Sequence, residues 1–516
     1  MLPPRTTAAQ LDAALKAFAA AVGPDWLFAT DADRDAYLDA YALGDGSDHV
    51  AAAAVAPASA EEVQAILRLA NEHRVPLWPI SRGKNLGYGY SAPLLPGSVV
   101  LDLTRMNRIL EVDEKHAYCV VEPGVGFFDL YDHLTAHGVP LWMSIPANAW
   151  GSVIGNALER GLGYTPYGDH ASKLCGLEVA LPTGELVRTG MGAMARAPTW
   201  QAYPYGFGPS WDQAFVQSNL GVVTKAGVWL MPEPEATLTA KVALPEMEDI
   251  AWAVDALGEL RRRGVVEHPF VFGNYMRDAV SGSRREDWHT GPGAVPDSAG
   301  PKIMQRFGVG WWNFSLNLYG DPDAIAANAK VVGRALEPRL GKALEWKSWA
   351  KGQPYQQSPR PAPTVAPLQV VNWRGGRGGH LGFSPVLPQD GAMALEQVKR
   401  AKPRFEAHGI DYFTSFTMGH RHINNINMLI YDRDDPQMVA GAKALFRELV
   451  DDARARGFAE YRAHISYMDM VADTYDFGGG AMRRLNETVK DALDPNGILA
   501  PGKNGIWPKA YRGRLA

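Results

Sequence analysis

Residues 150–170 read WGSVIGNALERGLGYTPYGDH. Gly151, Ser152, Gly155 and Asn156 stand at the head of a short helical pattern, where free backbone N–H groups favour an anion. A second stretch, SRGKNLGYG (81–89), leaves a strand-like run and presents Ser81, Arg82, Gly83, Lys84 and Asn85. Small consecutive residues let backbone amides line a concavity, and the two cations add positive charge. One such loop is commonly just a turn. Two in one chain suit a diphosphate.

The better-known nucleotide signatures are missing. GMGAMA (190–195) approaches a dinucleotide fingerprint, but Pro198 stands where the following helix should run. Neither a P-loop nor an HExxH pattern is present, and no metal site is expected.

A chain of 516 residues, 46% hydrophobic and 21% charged, is globular and long enough for two or three domains. Its net charge of −5 speaks against a polyanion partner. Cys119 and Cys175 lie in apolar, strand-like runs and read as small buried hydrophobes. The N-terminal stretch, interrupted by Asp12 and Lys16, reads as an amphipathic helix, and no apolar run approaches the ~20 residues that span a bilayer. The expectation is a soluble cytoplasmic protein, or the mature form of a secreted one, with no membrane segment.

The pattern is α+β throughout. Residues 60–104 predict helix, strand, loop, strand. CGLEVALPTGELVRTG predicts a hairpin turning at Pro182-Thr183-Gly184, and NLGVVTKAGVWLMP a strand pair ending at Pro232. From 236 to 458, longer helices alternate with strands such as WNFSLNLYG and INMLIYDR. Residues 459–516 return to a helix and a Gly/Pro-rich loop. Three segments follow: 1–235, 236–458 and 459–516.

In VNWRGGRGGHLGFSP (371–385), four glycines and two arginines lead to His380. Two readings are open: an RGG-type nucleic-acid segment, or a loop passing close to a large ligand. A single copy on an acidic chain disfavours the first.

The stretches ISRGKNLGYG, GSVIGNALERGLGYTPYGDH, LPTGELVRTGMGA, PYGFGPSWDQAFVQSNLGVVTKAGVWLMP, AEYRAHISYMD and DALDPNGILAPGKNGIWP together resemble the vanillyl-alcohol oxidase and 4-alkylphenol oxidase family, in order from about residue 50 to 510. The resemblance implies an FAD-binding domain made of 1–235 and 459–516, with an inserted α+β cap, 236–458, over the flavin. It places the two glycine-rich loops, Gly221, Val223 and Lys503 at cofactor-binding positions. It puts His380 where the oxidase branch joins the flavin 8α-methyl carbon covalently. The tyrosine that carries the flavin in the cytochrome-dependent branch is Val371 here.

The implied activity is oxidation of para-substituted phenols, 4-alkyl or 4-hydroxyalkyl and lignin-derived among them. Hydride leaves the benzylic carbon through a p-quinone methide, and electrons pass to O2 with peroxide release or to a separate cytochrome c subunit. Tyr88, Tyr461 and Arg462 match the cluster that ionises the phenol, and Tyr164 a further active-site tyrosine. Ala147 falls where the oxidases carry an acid/base aspartate. Pro367 and Ser415 replace glutamates, and Asn424 and Asn425 replace paired histidines. His420 and His422 are the nearest alternative bases, beside Asn425. A homodimer or larger assembly is also implied. The competing class is a non-catalytic RNA-binding protein that kept the scaffold.

Overall fold

A computed structural model describes residues 1–353 and 359–513. Residues 354–358 of the expected cap and 514–516 of the terminal segment lie outside the described residues. The chain forms an α+β protein built on three main sheets.

The first sheet runs Leu27–Phe28, Ala53–Val55, Val99–Asp102, Leu77–Ile80, the last three parallel. The crossover helix Ala60–His73 starts where Ser59 Oγ accepts the Glu62 N–H at 3.3 Å and stops at left-handed Arg74. Its Val63, Ile66, Leu67 and Ala70 form a buried stripe at helical spacing against the N-terminal helix Ala8–Val22.

The second sheet is antiparallel: Ile109–Asp113, Tyr118–Val121, Val222–Trp229, Leu174–Ala180, Leu186–Arg188. It buries both free cysteines. The strands read from NLGVVTKAGVWLMP do not pair with each other. Val222–Trp229 lies between Tyr118–Val121 and Leu174–Ala180, whereas Met231–Pro232 joins Leu141–Trp142 in a separate ladder.

The third sheet has eight antiparallel strands, in the order Trp346–Ala350, Ala236–Leu244, Trp312–Gly320, Phe270–Asn274, Phe413–Met418, His422–Asp432, Gly378–Phe383, with Val386–Pro388 also on His422–Asp432. Helices Ile250–Arg262, Pro322–Leu340, Gly391–Ala407 and Pro436–Ala455 cover one face. Leu381, Phe383, Phe416, Met418, Leu429 and Tyr431 enter that core, so their strand neighbours point the other way. The tail then returns to the first sheet: Leu77 N–H donates to Ile498 O at 2.7 Å and Ala500 N–H to Leu77 O at 2.8 Å. Among the described residues no helix is long and apolar enough to cross a membrane.

Candidate active site

The returning tail closes a cavity of about 350 Å³. Its walls come from the loop after Leu77–Ile80, residues 146–164, residues 215–223, Tyr461 to Met468 and Leu499 to Lys503, with Thr417 and Ile426 reaching in from the large sheet. Ser81, Gly83, Lys84, Asn85, Gly151, Ser152, Gly155, Asn156, Gly221, Val223 and Lys503 all line it.

Arg82 does not. Its guanidinium turns outward and donates to Asp129 Oδ2 at 2.6 Å and Gly124 O at 3.1 Å. Lys84 and Lys503 bring positive charge to the cavity instead. Lys84 Nζ sits 4.7 Å from the Tyr90 ring and 4.6 Å from the Trp150 ring, while Lys503 pairs with Glu159.

The walls suit a phosphate-bearing cofactor. A side chain at Gly151 would meet nothing within 4 Å, so bare backbone faces open space there. Ser218 Oγ is buried on the wall without a hydrogen-bond partner. These residues fit FAD.

At one end the structure brings together Tyr88, Tyr164, Tyr461 and Arg462. The Arg462 guanidinium carbon is 4.1 Å from the Tyr88 ring centroid, and Nη2 donates to Asn85 Oδ1 at 2.6 Å. Burial works against the Arg462 charge, but Tyr88 and Tyr461 beside it outweigh burial and raise its pKa. Burial also raises the Tyr461 and Tyr164 phenols, which therefore stay protonated donors near neutral pH. A fixed cation among neutral hydroxyls stabilises an incoming phenolate.

Ala147 lines the cavity and brings no proton-transfer group. His420 is exposed and His422 half-buried, and neither lines the cavity. Asn425 points into the helix-covered core, where it accepts from Gln397 Nε2 at 3.1 Å and donates to Thr414 Oγ1 at 2.9 Å. Sequence reading missed Thr417 and Ile426. Strand alternation across the hairpin would have found them, since Thr417 pairs with Asn424 and Ile426 with Ser415.

His380 lies on the strand Gly378–Phe383, opposite Ile430, rather than in a loop. The preceding glycines serve the backbone: Gly375 and Gly376 make the turn at φ +72 and +60, and Gly379 packs on Tyr431. The glycine that clears room for the imidazole is Gly87, at φ +81, whose Cβ would stand 2.5 Å from His380 Nδ1. Nε2 is buried with no partner, and burial lowers the ring's pKa to about 4. The arginines of the same stretch are committed to carboxylates, Arg374 to Asp411 at 2.9 Å and Arg377 to Asp434 at 3.1 Å.

Comparison with known proteins agrees with this geometry. The FAD binding domain model matches residues 51–190, and the model for the C-terminal domain of FAD linked oxidases matches 372–504. The chain is 35% identical to the 4-cresol dehydrogenase [hydroxylating] flavoprotein subunit of Pseudomonas putida, over 98% of both chains. It is 29% identical to 1'-carboxy-chondrochloren decarboxylase of Chondromyces crocatus, over 97% of this chain and 99% of that one. The solved 4-ethylphenol oxidase from Gulosibacter chungangensis, in its isoeugenol complex, superposes with a TM-score of 0.94 at 35% identity, over 99% of this chain and 100% of that one. Substrate-bound p-cresol methylhydroxylase gives 0.92 at 35% identity, over 98% and 99%. Full-length similarity and the shared FAD-domain matches place this chain in the vanillyl-alcohol oxidase and 4-alkylphenol oxidase family of FAD-dependent enzymes.

Proposed function

We propose that the protein oxidises para-substituted phenols, with residues 1–235 and 459–513 holding FAD and 236–458 capping the substrate. The stacking of Arg462 on Tyr88, with Tyr461 and Tyr164 around the same space, carries this reading. FAD, when bound, supplies the hydride acceptor. The chain's own groups prepare the substrate. Arg462 and the tyrosine hydroxyls hold the phenolic oxygen as phenolate. Its negative charge pushes electron density to the para carbon, so the benzylic C–H can leave as hydride and the substrate becomes a p-quinone methide.

His380 is read as a covalent tether: its ring is neutral near pH 7 and its Nε2 is buried without a protein partner. The final acceptor in this reading is dioxygen. A cytochrome partner is the second reading, because a relative of equal identity is named as the flavoprotein subunit of a dehydrogenase. Anaerobic 4-ethylphenol should bleach the yellow holoprotein, and readmitted air should restore the colour with release of peroxide. If no para-alkylphenol bleaches it, phenol oxidation is excluded. Bleaching followed by recovery only with cytochrome c selects the second acceptor.

A further inference from the structure

The strand Phe270–Asn274 brings a second arginine toward the Tyr164 end of the cavity. Phe270 and Phe272 enter the helix-covered core, so Val271 and Gly273 face the cavity side of the large sheet. Val271 stands opposite Thr417, which lines the cavity, and Gly273 opposite Ser415. Just before the strand, Pro269 meets the loop that carries Tyr164: a Cβ on Gly168 would stand 2.9 Å from Pro269 Cγ. Arg277, in the helical turn Tyr275–Ala279 that follows, folds back over the bare backbone of Gly273. Its Cδ is 3.4 Å and its Nε 3.9 Å from where a Cβ would stand there.

Among the described residues, no group takes a hydrogen bond or an ion pair from the Arg277 side chain. The residue is half-buried, and its guanidinium nitrogens stay open to solvent. Its neighbour Asp278 turns to Asn313, whose Nδ2 donates to Oδ2 at 3.1 Å. The cavity offers no counter-ion either. Among the described residues Glu159 is the only carboxylate on its walls and is paired with Lys503, while Ala147 brings no charge. The two arginines act on different tyrosines. Burial raises the Tyr164 phenol, and the Arg277 charge opposes that rise. Burial and Tyr88 raise Tyr461, and there the opposing charge is that of Arg462. A half-buried guanidinium without an anion suits a carboxylate, since its fork matches two carboxylate oxygens.

We propose that Arg277 receives a carboxylate carried by the para side chain of the phenol, so that the preferred substrates are 4-hydroxyphenyl-substituted carboxylic acids. The proposal rests on the phenol-oxidation reading and goes beyond it, because it names the anionic end of the substrate and the residue that holds it. Arg462 and the tyrosines hold the phenolic oxygen, and Arg277 holds the far end from the cap. The carboxylate makes and breaks no bond. Hydride still leaves the benzylic carbon, and the acid group stays on the product.

The test measures kcat/KM of wild-type holoenzyme and Arg277→Gln for 4-hydroxyphenylacetate and 3-(4-hydroxyphenyl)propanoate, for the amide of each, and for 4-ethylphenol. Each acid and its amide have nearly the same shape and differ in charge. Wild type should prefer acid over amide about tenfold or more in at least one pair. Arg277→Gln should lower that preference by a similar factor, as loss of a charge-assisted pair does. A wild type that oxidises 4-ethylphenol but prefers neither acid overturns the carboxylate site and leaves the phenol-oxidation reading standing. So does a preference that stays within twofold in the variant. A wild type that oxidises none of these phenols overturns the functional reading itself, and the site with it. Should Arg277→Gln not fold, Arg277→Met takes its place.

Discussion

Arg462 stacks on Tyr88, 4.1 Å from guanidinium carbon to ring centroid, and Asn85 fixes the arginine through a 2.6 Å hydrogen bond. The geometry holds a charge against an aromatic wall where a phenolic oxygen can reach it. Arg462→Ala should lower kcat/KM for 4-alkylphenols about 10²- to 10³-fold, as loss of a preorganised electrostatic donor does. Its pH profile should move toward alkaline values, because the phenol must then ionise without help. Arg462→Lys should recover little, since a lysine has no planar fork to span both Asn85 and a phenolate. Steady-state kinetics across pH would check both variants. Unchanged turnover would show that the cage lies elsewhere.

Gly87 and His380 share one space. Gly87→Ala would set a methyl 2.5 Å from Nδ1 and force a left-handed φ on alanine, so the imidazole must shift. The expected result is a marked fall in the flavin that stays with acid-precipitated polypeptide. His380→Ala should abolish that retention while leaving flavin bound non-covalently. Full retention in Gly87→Ala would exclude His380 as the tether.

Acid should destabilise the fold through buried histidines. Burial lowers His170 to about 4, His268 to about 3 and His380 to about 4, against an ordinary value of 6.5. The unfolded chain therefore takes up protons first as pH falls. Stability from these groups is complete above pH 6.5 and declines as pH drops toward 4, by on the order of 3 kcal/mol for a fully buried ring. Urea midpoints from pH 7.5 to 4.5 should show this decline. A flat profile would contradict the neutral, buried rings.

Lys490 and Asp494 are both 0% exposed and 2.7 Å apart. Lys490 Nζ also donates to Asn219 O at 2.6 Å and Leu499 O at 2.7 Å, so one ammonium ties the tail to a cavity wall. Lys490→Met leaves a buried carboxylate unpaired and should cost about 3–5 kcal/mol. The double variant with Asp494→Asn should be less destabilised than that single change. Chemical denaturation would measure both, and fluorescence titration with FAD should show weaker binding in the single variant.

Much of the site was legible because its backbone demands particular residues. The two glycine-rich loops and the tyrosine-arginine cluster meet in one cavity although they come from distant parts of the chain. Direction was not legible. Nothing in SRGKNLGYG says that Arg82 turns outward, because its partner Asp129 lies 47 residues further on. Nearness along a strand also misled. From His422 to Ile426 a strand advances about 13 Å, at ~3.3 Å per residue, which carries both histidines past the cavity. The glycines before His380 read as clearance for a ligand, but the clearance sits at Gly87, on another loop.

Trp78 and Lys503 both line the cavity, and the tail pairs with the first sheet at Ile498 to Ala500. A separate piece of chain thus shuts the groove that the first sheet only begins. Removing that strand by truncation before Leu499 should leave the large sheet folded and lower the FAD retained, which the absorption of the purified protein would check.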